Sequence, residues 1–307
     1  EIAQCLVGSE MCIRDRHVGI ALGMDNLIYD AEQADYTLLQ LNPYYTLEND
    51  NIRLRVGAHV DWQSANGSGI KAAPDVKLDY TFADTYVAYL HATGGTRLND
   101  FRQQNEESPY WGVINQMRTS YTPADLQVGF KASPLPGLGF HLFGGYRVTK
   151  DEIFHLPGIT DTDFPYCYSL LMQEKAKVGY GGIKAAYGYK DIFDFSVGGT
   201  YYGWNVKDEA KVLLYLKPEF VLDASARAKV YDEFWISAAY RYEGRVKAGE
   251  LEKADAINNL SLSAGYEFFK SLNVFVRFNN LLNQDYITEA GYPVQGFNAM
   301  AGVSFRF

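Results

Sequence analysis

Cysteine, long apolar runs and surplus positive charge are all scarce in this 307-residue chain. Only 3 Cys are present, so no disulfide framework is expected to hold the fold together. There is no run of about 18 uncharged apolar residues, which excludes a transmembrane helix. The net charge of -9 argues against a nucleic-acid-binding protein, because contacts with phosphates need an excess of Lys and Arg.

Aromatic residues and glycine are abundant instead, with 24 Tyr, 18 Phe and 28 Gly, which favours an all-β chain. The chain ends on the stretch GFNAMAGVSFRF, in which apolar and polar residues alternate as far as the final Phe307. Successive side chains of a strand point to opposite faces, so this pattern predicts a strand with one apolar face.

The same alternation recurs upstream and predicts about fourteen strands, each close to the roughly 9–11 residues that cross a membrane at a tilt. The predicted strands lie near residues 18–25, 36–47, 52–62, 76–82, 85–93, 125–132, 138–148, 176–189, 193–204, 214–230, 234–243, 260–268, 272–278 and 296–307.

The connections between these strands alternate in length, which predicts antiparallel neighbours with tight turns at one end and long loops at the other. The last strand then ends on the side of the tight turns. Short turns are predicted at residues 47–51, 82–85, 134–137, 189–193, 231–234 and 268–271, and longer links at 26–34, 63–73, 94–123, 150–174, 205–211, 244–256 and 281–295.

Two architectures use such strands: a soluble sandwich and a transmembrane barrel. The non-apolar faces combine Gly, Ser and Asn with charged residues, as the wall of an aqueous interior requires. The apolar faces carry Tyr, Phe and Trp near the strand ends, which resembles the aromatic girdles of outer-membrane barrels. We therefore expect an antiparallel transmembrane β-barrel over residues 17–307.

The first sixteen residues, EIAQCLVGSEMCIRDR, do not share this pattern. They lack both the alternation and the parts of a signal peptide. The run CLVGSEMCIRDR looks like a translated sequencing adapter. We therefore expect residues 1–16 to be an artefact outside the fold, and the natural protein to continue further at its N-terminus.

Residues 273–307 resemble the C-terminal end of TonB-dependent outer-membrane receptors. That family has an Asn-Leu-Leu/Phe-Asn motif with a Tyr nearby, then a Gly-Tyr-Pro loop, a Gly and a final strand closing on Phe. The matching residues are Asn280, Leu281, Leu282, Asn283, Tyr286, Gly291, Tyr292, Pro293, Gly296 and Phe307.

The resemblance implies the C-terminal part of a 22-stranded barrel whose N-terminal plug domain is absent from this sequence. It implies a receptor in the outer membrane of a Gram-negative bacterium that imports a scarce ligand by energised transport. The ligand classes are siderophore, haem, cobalamin, glycan and peptide. The implied partners are outer-membrane lipid, the TonB energy-coupling protein through the missing plug, and the barrel-insertion machinery, which would read Phe305 and Phe307.

Such a receptor binds and does not catalyse, so the expectation is no enzyme, no catalytic residue, no cofactor and no metal site. Exposed aromatic residues in the long loops are candidates to stack on a ligand, although they equally suit the packing of loops on each other. The candidate ligand-binding residues are Tyr110, Trp111, Phe164, Tyr166, Tyr168, Tyr286 and Tyr292.

Two other functions stay open at this point. A complete small barrel could conduct passively, like a porin or a fatty-acid channel. A barrel enzyme such as an outer-membrane hydrolase should show a Ser/His or paired-Asp arrangement at its rim, and the sequence offers none.

Overall fold

The computed structural model describes residues 15–29, 35–65, 67–110, 112, 117–159, 167–268, 271–289 and 291–305. Strands dominate these residues, with one short α-helix, α1 (Phe101–Glu107), and a 3-10 turn at Asp208–Leu214. The strands are β1 (Asp15–Leu27), β2 (Tyr36–Glu48), β3 (Ile52–Gln63), β4 (Gly69–Phe82), β5 (Tyr86–Arg97), β6 (Ser120–Leu135), β7 (Leu138–Ile159), β8 (Cys167–Tyr189), β9 (Phe193–Asn205), β10 (Pro218–Lys229), β11 (Phe234–Arg245), β12 (Ile257–Phe268), β13 (Leu272–Asn279), β14 (Ile287–Glu289), β15 (Tyr292–Pro293) and β16 (Asn298–Phe305).

Fourteen of the strands form one antiparallel sheet in chain order, in which β16 follows β13. The predicted fold class and strand number are confirmed. The strands β14 and β15 form a separate two-stranded ribbon. Within the described residues, β1 and β16 are the two edges of the large sheet. The helices in this part of the chain are too short and too polar to span a membrane.

The sheet has an outer face that exposes apolar side chains and an inner face that carries the polar ones. On β3, Trp62 is 43% exposed, whereas its neighbours Asp61 and Gln63 are each 2% exposed. This reverses the usual distribution of a water-soluble protein. One apolar row crosses five adjacent strands on the outer face, and its residues are Leu47, Leu54, Leu78, Leu90 and Val128.

This polarity excludes the soluble sandwich, which would bury its apolar faces between two sheets. The apolar core that does exist is small and lies at the long-loop end. It consists of Phe154 on β7, Ala176 on β8, and Ala210, Leu213 and Leu214 of the 3-10 turn. The outer face of the wall therefore needs an apolar environment of its own.

Two predicted links are wrong because strands occupy much of them. The strand β4 already begins at Gly69, and β7 and β8 pair as far as Ile159 and Cys167, where long links at 63–73 and 150–174 were expected. A bulge between Thr149 and Glu152, with Asp151 at φ +56°, shifts the alternation of β7. Because of this shift, the alternation of apolar and polar residues does not predict the upper part of this hairpin as strands.

The region 208–217 also differs from its prediction. A strand was expected from residue 214, but the chain forms a 3-10 turn that buries Leu213 and Leu214, and β10 begins only at Pro218. Neither α1 nor the β14–β15 ribbon was predicted. Both lie in long loops, where tertiary contacts decide the local structure.

Glycines on the inner face accommodate aromatic rings from the adjacent strand. Gly265 lies directly opposite Trp235, and a Cβ added at Gly265 would come within 2.5 Å of the indole ring. The pairs Gly129 with Tyr89 and Gly302 with Phe275 repeat this arrangement. Each ring thus covers backbone that a glycine leaves open, which fixes the register of neighbouring strands.

We expect Gly265→Ala to destabilise the sheet by about 1–3 kcal/mol, because the added methyl group displaces the Trp235 ring. Gly139→Ala is the matched control, since no atom lies within 4 Å of the Cβ position there. Urea unfolding of the detergent-refolded chain, followed by far-UV circular dichroism, measures both. Equal midpoints for the two variants would contradict the packing role of the Gly265–Trp235 pair.

Candidate functional site

The long loops converge at one end of the sheet and form a compact assembly. We use the name loop cap for the described parts of residues 98–119, 206–217 and 280–297, together with the upper β7–β8 hairpin (150–159 and 167–176). The strands β6 and β13, whose loops meet there, lie seven positions apart in the sheet. Strong curvature of the wall is needed to bring these loops together.

Three of the predicted ligand-binding residues meet in the loop cap. Tyr110 and Tyr292 stack with ring centroids 3.7 Å apart and an interplanar angle of 17°. Ser169, next to Tyr168, donates its backbone N–H to the carbonyl of Tyr110 at 2.7 Å. The Tyr168 ring packs against Gly158 and Gly112, which have no Cβ that would collide with it. An aromatic cluster therefore links the loops that follow β5, β7 and β13.

The other predicted residues have different positions. Tyr286 is buried, and its hydroxyl accepts a hydrogen bond from Asn259 Nδ2 at 3.0 Å, which makes it a packing residue of the loop before β14. Phe305 lies at the end of β16, opposite Leu272, with its ring exposed. Four predicted residues lie outside the described residues and stay predictions: Trp111, Phe164, Tyr166 and Phe307.

A histidine that the sequence analysis did not select joins three segments of the loop cap. His155 on β7 lies between two carboxylates, with Nε2 3.8 Å from Glu107 Oε2 and Nδ1 3.9 Å from Glu289 Oε2. Its Nδ1 is also 3.2 Å from the hydroxyl of Ser169. Arg97 donates to Glu107 at 3.1 Å. The neighbouring His155 side chain and the positive charge of Arg97 hold the pKa of Glu107 below its ordinary value, against the effect of burial.

A lysine, Lys217, lies next to this cluster. Lys217 Nζ donates to the carbonyl of Ile153 at 3.1 Å and lies 3.8 Å from Glu152 Oε1. The same ammonium is over the rings of Phe154 and Trp204, 4.9 and 5.2 Å from their centroids. Burial lowers the pKa of Lys217 from its ordinary value, although the Glu152 carboxylate opposes this.

A cavity of about 130 Å³ opens between Glu107, His155, Lys217 and Glu289. It is too small for an organic ligand of ordinary size. In the part of the chain that the structure describes, no three His, Cys, Asp or Glu side chains are placed to hold a metal ion. The cavity therefore belongs to the packing of the loop cap, and the exposed aromatic surface beside it is the better candidate for ligand contact.

The inner face below the loop cap is polar and concave. Arg241 bridges Asp223 at 2.9 Å and Glu243 at 2.7 Å, and Glu243 in turn accepts from the buried Arg245 at 2.6 Å. Arg245 also donates to the carbonyl of Ile287 at 2.9 Å and so ties the wall to the β14–β15 ribbon. Two concavities of about 690 and 450 Å³ lie along this face. The interior of the wall can thus hold water or another chain.

Solved structures share this architecture, although no protein-family model and no curated protein matches the sequence. The copper transporter OprC superimposes with a TM-score of 0.65 at 14% identity, over 89% of this chain and 48% of that chain. The siderophore receptor PirA from Acinetobacter baumannii gives 0.65 at 12% identity, over 89% and 46%. The ferric enterobactin receptor PfeA from Pseudomonas aeruginosa gives 0.66 at 13% identity, over 89% and 46%.

These three proteins are TonB-dependent receptors. The chain has the barrel fold of a TonB-dependent receptor. The resemblance inferred from residues 273–307 is therefore confirmed at the level of the fold. The chain spans less than half the length of each of the three receptor structures.

The lowered pKa of Glu107 predicts that the loop cap loosens in acid. The ionised carboxylate contributes stability above its unfolded-state pKa, and this contribution is lost as pH falls through the lower folded-state pKa. The effect falls in the pH range between the folded-state and the unfolded-state pKa of Glu107. At the upper end of that range, we expect Glu107→Gln to increase peptic cleavage of residues 98–110 about two- to fivefold. At lower pH the variant and the natural chain should be cleaved alike.

Comparing the two proteins at each pH cancels the pH dependence of pepsin itself. Glu106→Gln is the matched control, because Glu106 is a neighbouring carboxylate that pairs with the exposed Arg102 at 3.1 Å. If the ratio of cleavage between the Glu107→Gln variant and the natural chain were the same at every pH, the role assigned to the Glu107 carboxylate would be contradicted.

Lys217 offers a second test of the loop cap. We expect Lys217→Met to change the free energy of unfolding by less than about 1.5 kcal/mol, because the stem is kept and a poorly solvated charge is removed. Lys217→Ala should cost about 2–4 kcal/mol, since it leaves a cavity beside Phe154 and Trp204. Urea midpoints of the two variants decide the matter, and an equal cost for both would show that the charge, not the packing, stabilises this region.

Proposed function

We propose that this chain forms part of the wall of an outer-membrane receptor that gathers a scarce ligand with its long loops. The observation that carries the proposal is the combination of an apolar outer face, a polar inner face and a loop cap built on stacked aromatic rings. The outer face suits the lipid of a Gram-negative outer membrane. The fold neighbours act on copper and siderophores, which places metal ions and metal chelates among the first ligands to test.

We further propose that the sheet is one portion of a longer barrel with an N-terminal plug domain. The two edges, β1 and β16, each pair on one side only within the described residues. A strand edge in hydrocarbon leaves backbone groups without partners, so additional strands there would satisfy them. Energised import through the TonB protein depends on that plug. The genomic reading frame upstream of codon 17 tests this part: a plug and further alternating strands are expected, and a signal peptide directly before His17 would overturn it.

Binding rather than chemistry is the proposed mechanism. Exposed rings in the loop cap would contact the ligand, and Tyr110, which is 44% exposed, is the residue best placed to do so. The contacts of His155 with Glu107, Glu289 and Ser169 would then hold three loops at a fixed distance. The aromatic rings are thereby presented in one arrangement before the ligand arrives, which lowers the entropic cost of binding.

We expect Tyr110→Ala to weaken ligand binding about three- to tenfold, whereas Tyr110→Phe keeps the stack on Tyr292 and most of the affinity. The probes are ferric enterobactin, CuCl₂, haem and cyanocobalamin. Each is titrated into the detergent-refolded chain by calorimetry. Tyr231→Ala is the control, because Tyr231 is also an exposed tyrosine but lies on a tight turn at the opposite end of the sheet.

The passive channel is the second candidate, and the same chain distinguishes it. A porin-type barrel would conduct ions in a planar bilayer and bind none of the four probes. The loop cap that draws the long loops together argues against a freely open conduit. Steady conductance without binding of any of the four probes would reject the receptor in favour of the channel.

A further inference from the structure

Three lysines cluster on the outer face of the wall, at its long-loop end. Lys177 on β8 lies directly opposite Val148 on β7, which is on the same face as the exposed Tyr146. Lys175 is two residues away from Lys177 on the same face of β8. Lys150 follows Val148 by two residues and lies in the β7 bulge that faces Lys175. We use the name lysine patch for Lys150, Lys175 and Lys177, all of which are exposed.

The charges of the lysine patch are not compensated by acidic side chains. Within the described residues, no carboxylate oxygen lies within 4.0 Å of any of its three ammonium groups. The acids next to them in the sequence, Asp151 and Glu174, pair with Arg118 and Lys207 instead, each at 3.6 Å. Like charges at facing positions of a sheet repel one another, so an anion bound among them would stabilise this part of the wall.

Four glycines leave a trough in the outer face directly below the lysine patch. Gly144 on β7 lies opposite Gly181 on β8, and Gly179 on β8 lies opposite Gly203 on β9. A Cβ added at any of the four would meet no atom closer than 3.6 Å. The inner-face Gly265 differs, because an aromatic ring fills the space beside it. We use the name glycine trough for the surface over these four residues, which is open to the surroundings of the wall.

Exposed apolar side chains border the glycine trough. Tyr146 on β7 lies directly opposite Gly179, and Tyr201 on β9 lies directly opposite Gly181. Ile183 follows Gly181 on the outer face of β8, and all three side chains are exposed. The trough therefore runs along β8 between two tyrosines and ends at the lysine patch. Its width of one to two interstrand spacings, each about 4.8 Å, suits a single acyl chain.

From this arrangement we propose that the lysine patch binds the phosphate group of a membrane lipid whose acyl chain lies in the glycine trough. The proposal goes beyond ligand import and takes from the proposed function only the lipid-facing outer wall. The lysine patch lies where the apolar outer face ends, which is the level of the lipid head groups. A phosphate group presents several acceptor oxygens, and each lysine ammonium can donate charge-assisted hydrogen bonds to them.

The geometry favours one lipid phosphate over a free anion. Lys175 and Lys177 are about 7 Å apart along β8, at roughly 3.4 Å per residue, so their flexible side chains can reach the same phosphate. Exposed charges attract a free ion only weakly, because water solvates both partners. A lipid whose chain occupies the glycine trough presents its phosphate at one place, which lowers the entropic cost of the contact.

The test uses the full chain, refolded in detergent and titrated with diphosphoryl lipid A, which carries both acyl chains and phosphate groups. Native mass spectrometry counts the lipid molecules that stay bound and gives an apparent dissociation constant. Replacing all three lysines of the lysine patch by Gln should weaken binding at least about tenfold, which corresponds to about 1.4 kcal/mol.

A matched control changes the net charge equally at other exposed positions. It replaces Lys131, Lys190 and Lys229 by Gln, and none of these lies in the lysine patch. This variant should bind the lipid as the natural chain does. Replacing the lysine patch by three Arg preserves the charge and should retain binding. Unchanged affinity in the triple Gln variant of the lysine patch, or an equal loss in the control, overturns the proposal.

A second variant tests the glycine trough and keeps the experiment decisive if the triple Gln variant refolds poorly. Gly179→Leu fills the trough without a collision at its Cβ, because the nearest atom is 3.9 Å away on the Tyr146 ring. We expect lipid binding at least about fivefold weaker, with an unchanged far-UV circular dichroism spectrum. Full affinity in this variant would show that no acyl chain lies in the trough.

Changing the ligand separates the lipid from other anions. Lipid A from which both phosphates have been removed should bind at least about tenfold more weakly, and equal binding would refute the charge contact. Sodium phosphate should displace no more lipid than NaCl does at the same ionic strength. Greater displacement by phosphate would overturn the lipid site in favour of a site for small anions.

The outcomes separate this proposal from the proposed function. A chain that binds the phosphorylated lipid through the lysine patch but none of the four ligand probes refutes the receptor and leaves the lipid site. A chain that binds a probe through Tyr110 but shows no preference for the phosphorylated lipid refutes the lipid site and leaves the receptor.

Discussion

Antiparallel backbone pairing is the constraint on which the rest of this structure depends. In hydrocarbon no water satisfies an N–H or C=O group, so each strand must obtain its partners from its neighbours. Pairing in chain order achieves this with tight turns such as 136–137. Because the pairing uses only backbone groups, the side chains on each face can be either polar or apolar. The wall can therefore expose Trp62 on one face and bury Asp61 on the other without a conventional core.

Strand positions were predictable because only one physical rule acts along most of the wall. A side chain faces either the apolar environment or the interior, and the two alternate strictly with residue number. On β3 this rule alone assigns Trp62 and Asp61 correctly. It fails at Asp151, where a bulge inserts an extra residue and shifts the alternation of the upper β7. It also fails at Leu213 and Leu214, which pack on Phe154 rather than on lipid.

The candidate site was predictable only in residue type. Aromatic residues in long loops indicated ligand contact, and Tyr110, Tyr168 and Tyr292 do lie together. Nothing in the order of residues shows that a loop after β5 meets one after β13, because that meeting depends on the curvature of fourteen strands. The contacts of His155 with Glu107 and Glu289 were missed for the same reason: His155 is 48 residues from Glu107 and 134 from Glu289.

The two edges of the sheet bear on how it is completed. Within the described residues, β1 and β16 each have a hydrogen-bonded neighbour on one side only. Exposed Val18 on β1 and Val303 on β16 show that both edge strands present apolar side chains to the same environment as the rest of the wall. In hydrocarbon an unpaired edge leaves backbone N–H and C=O groups without partners, at a cost of several kcal/mol for each group. Each edge therefore requires a partner strand, which pairing of the two edges with each other or with further strands would supply.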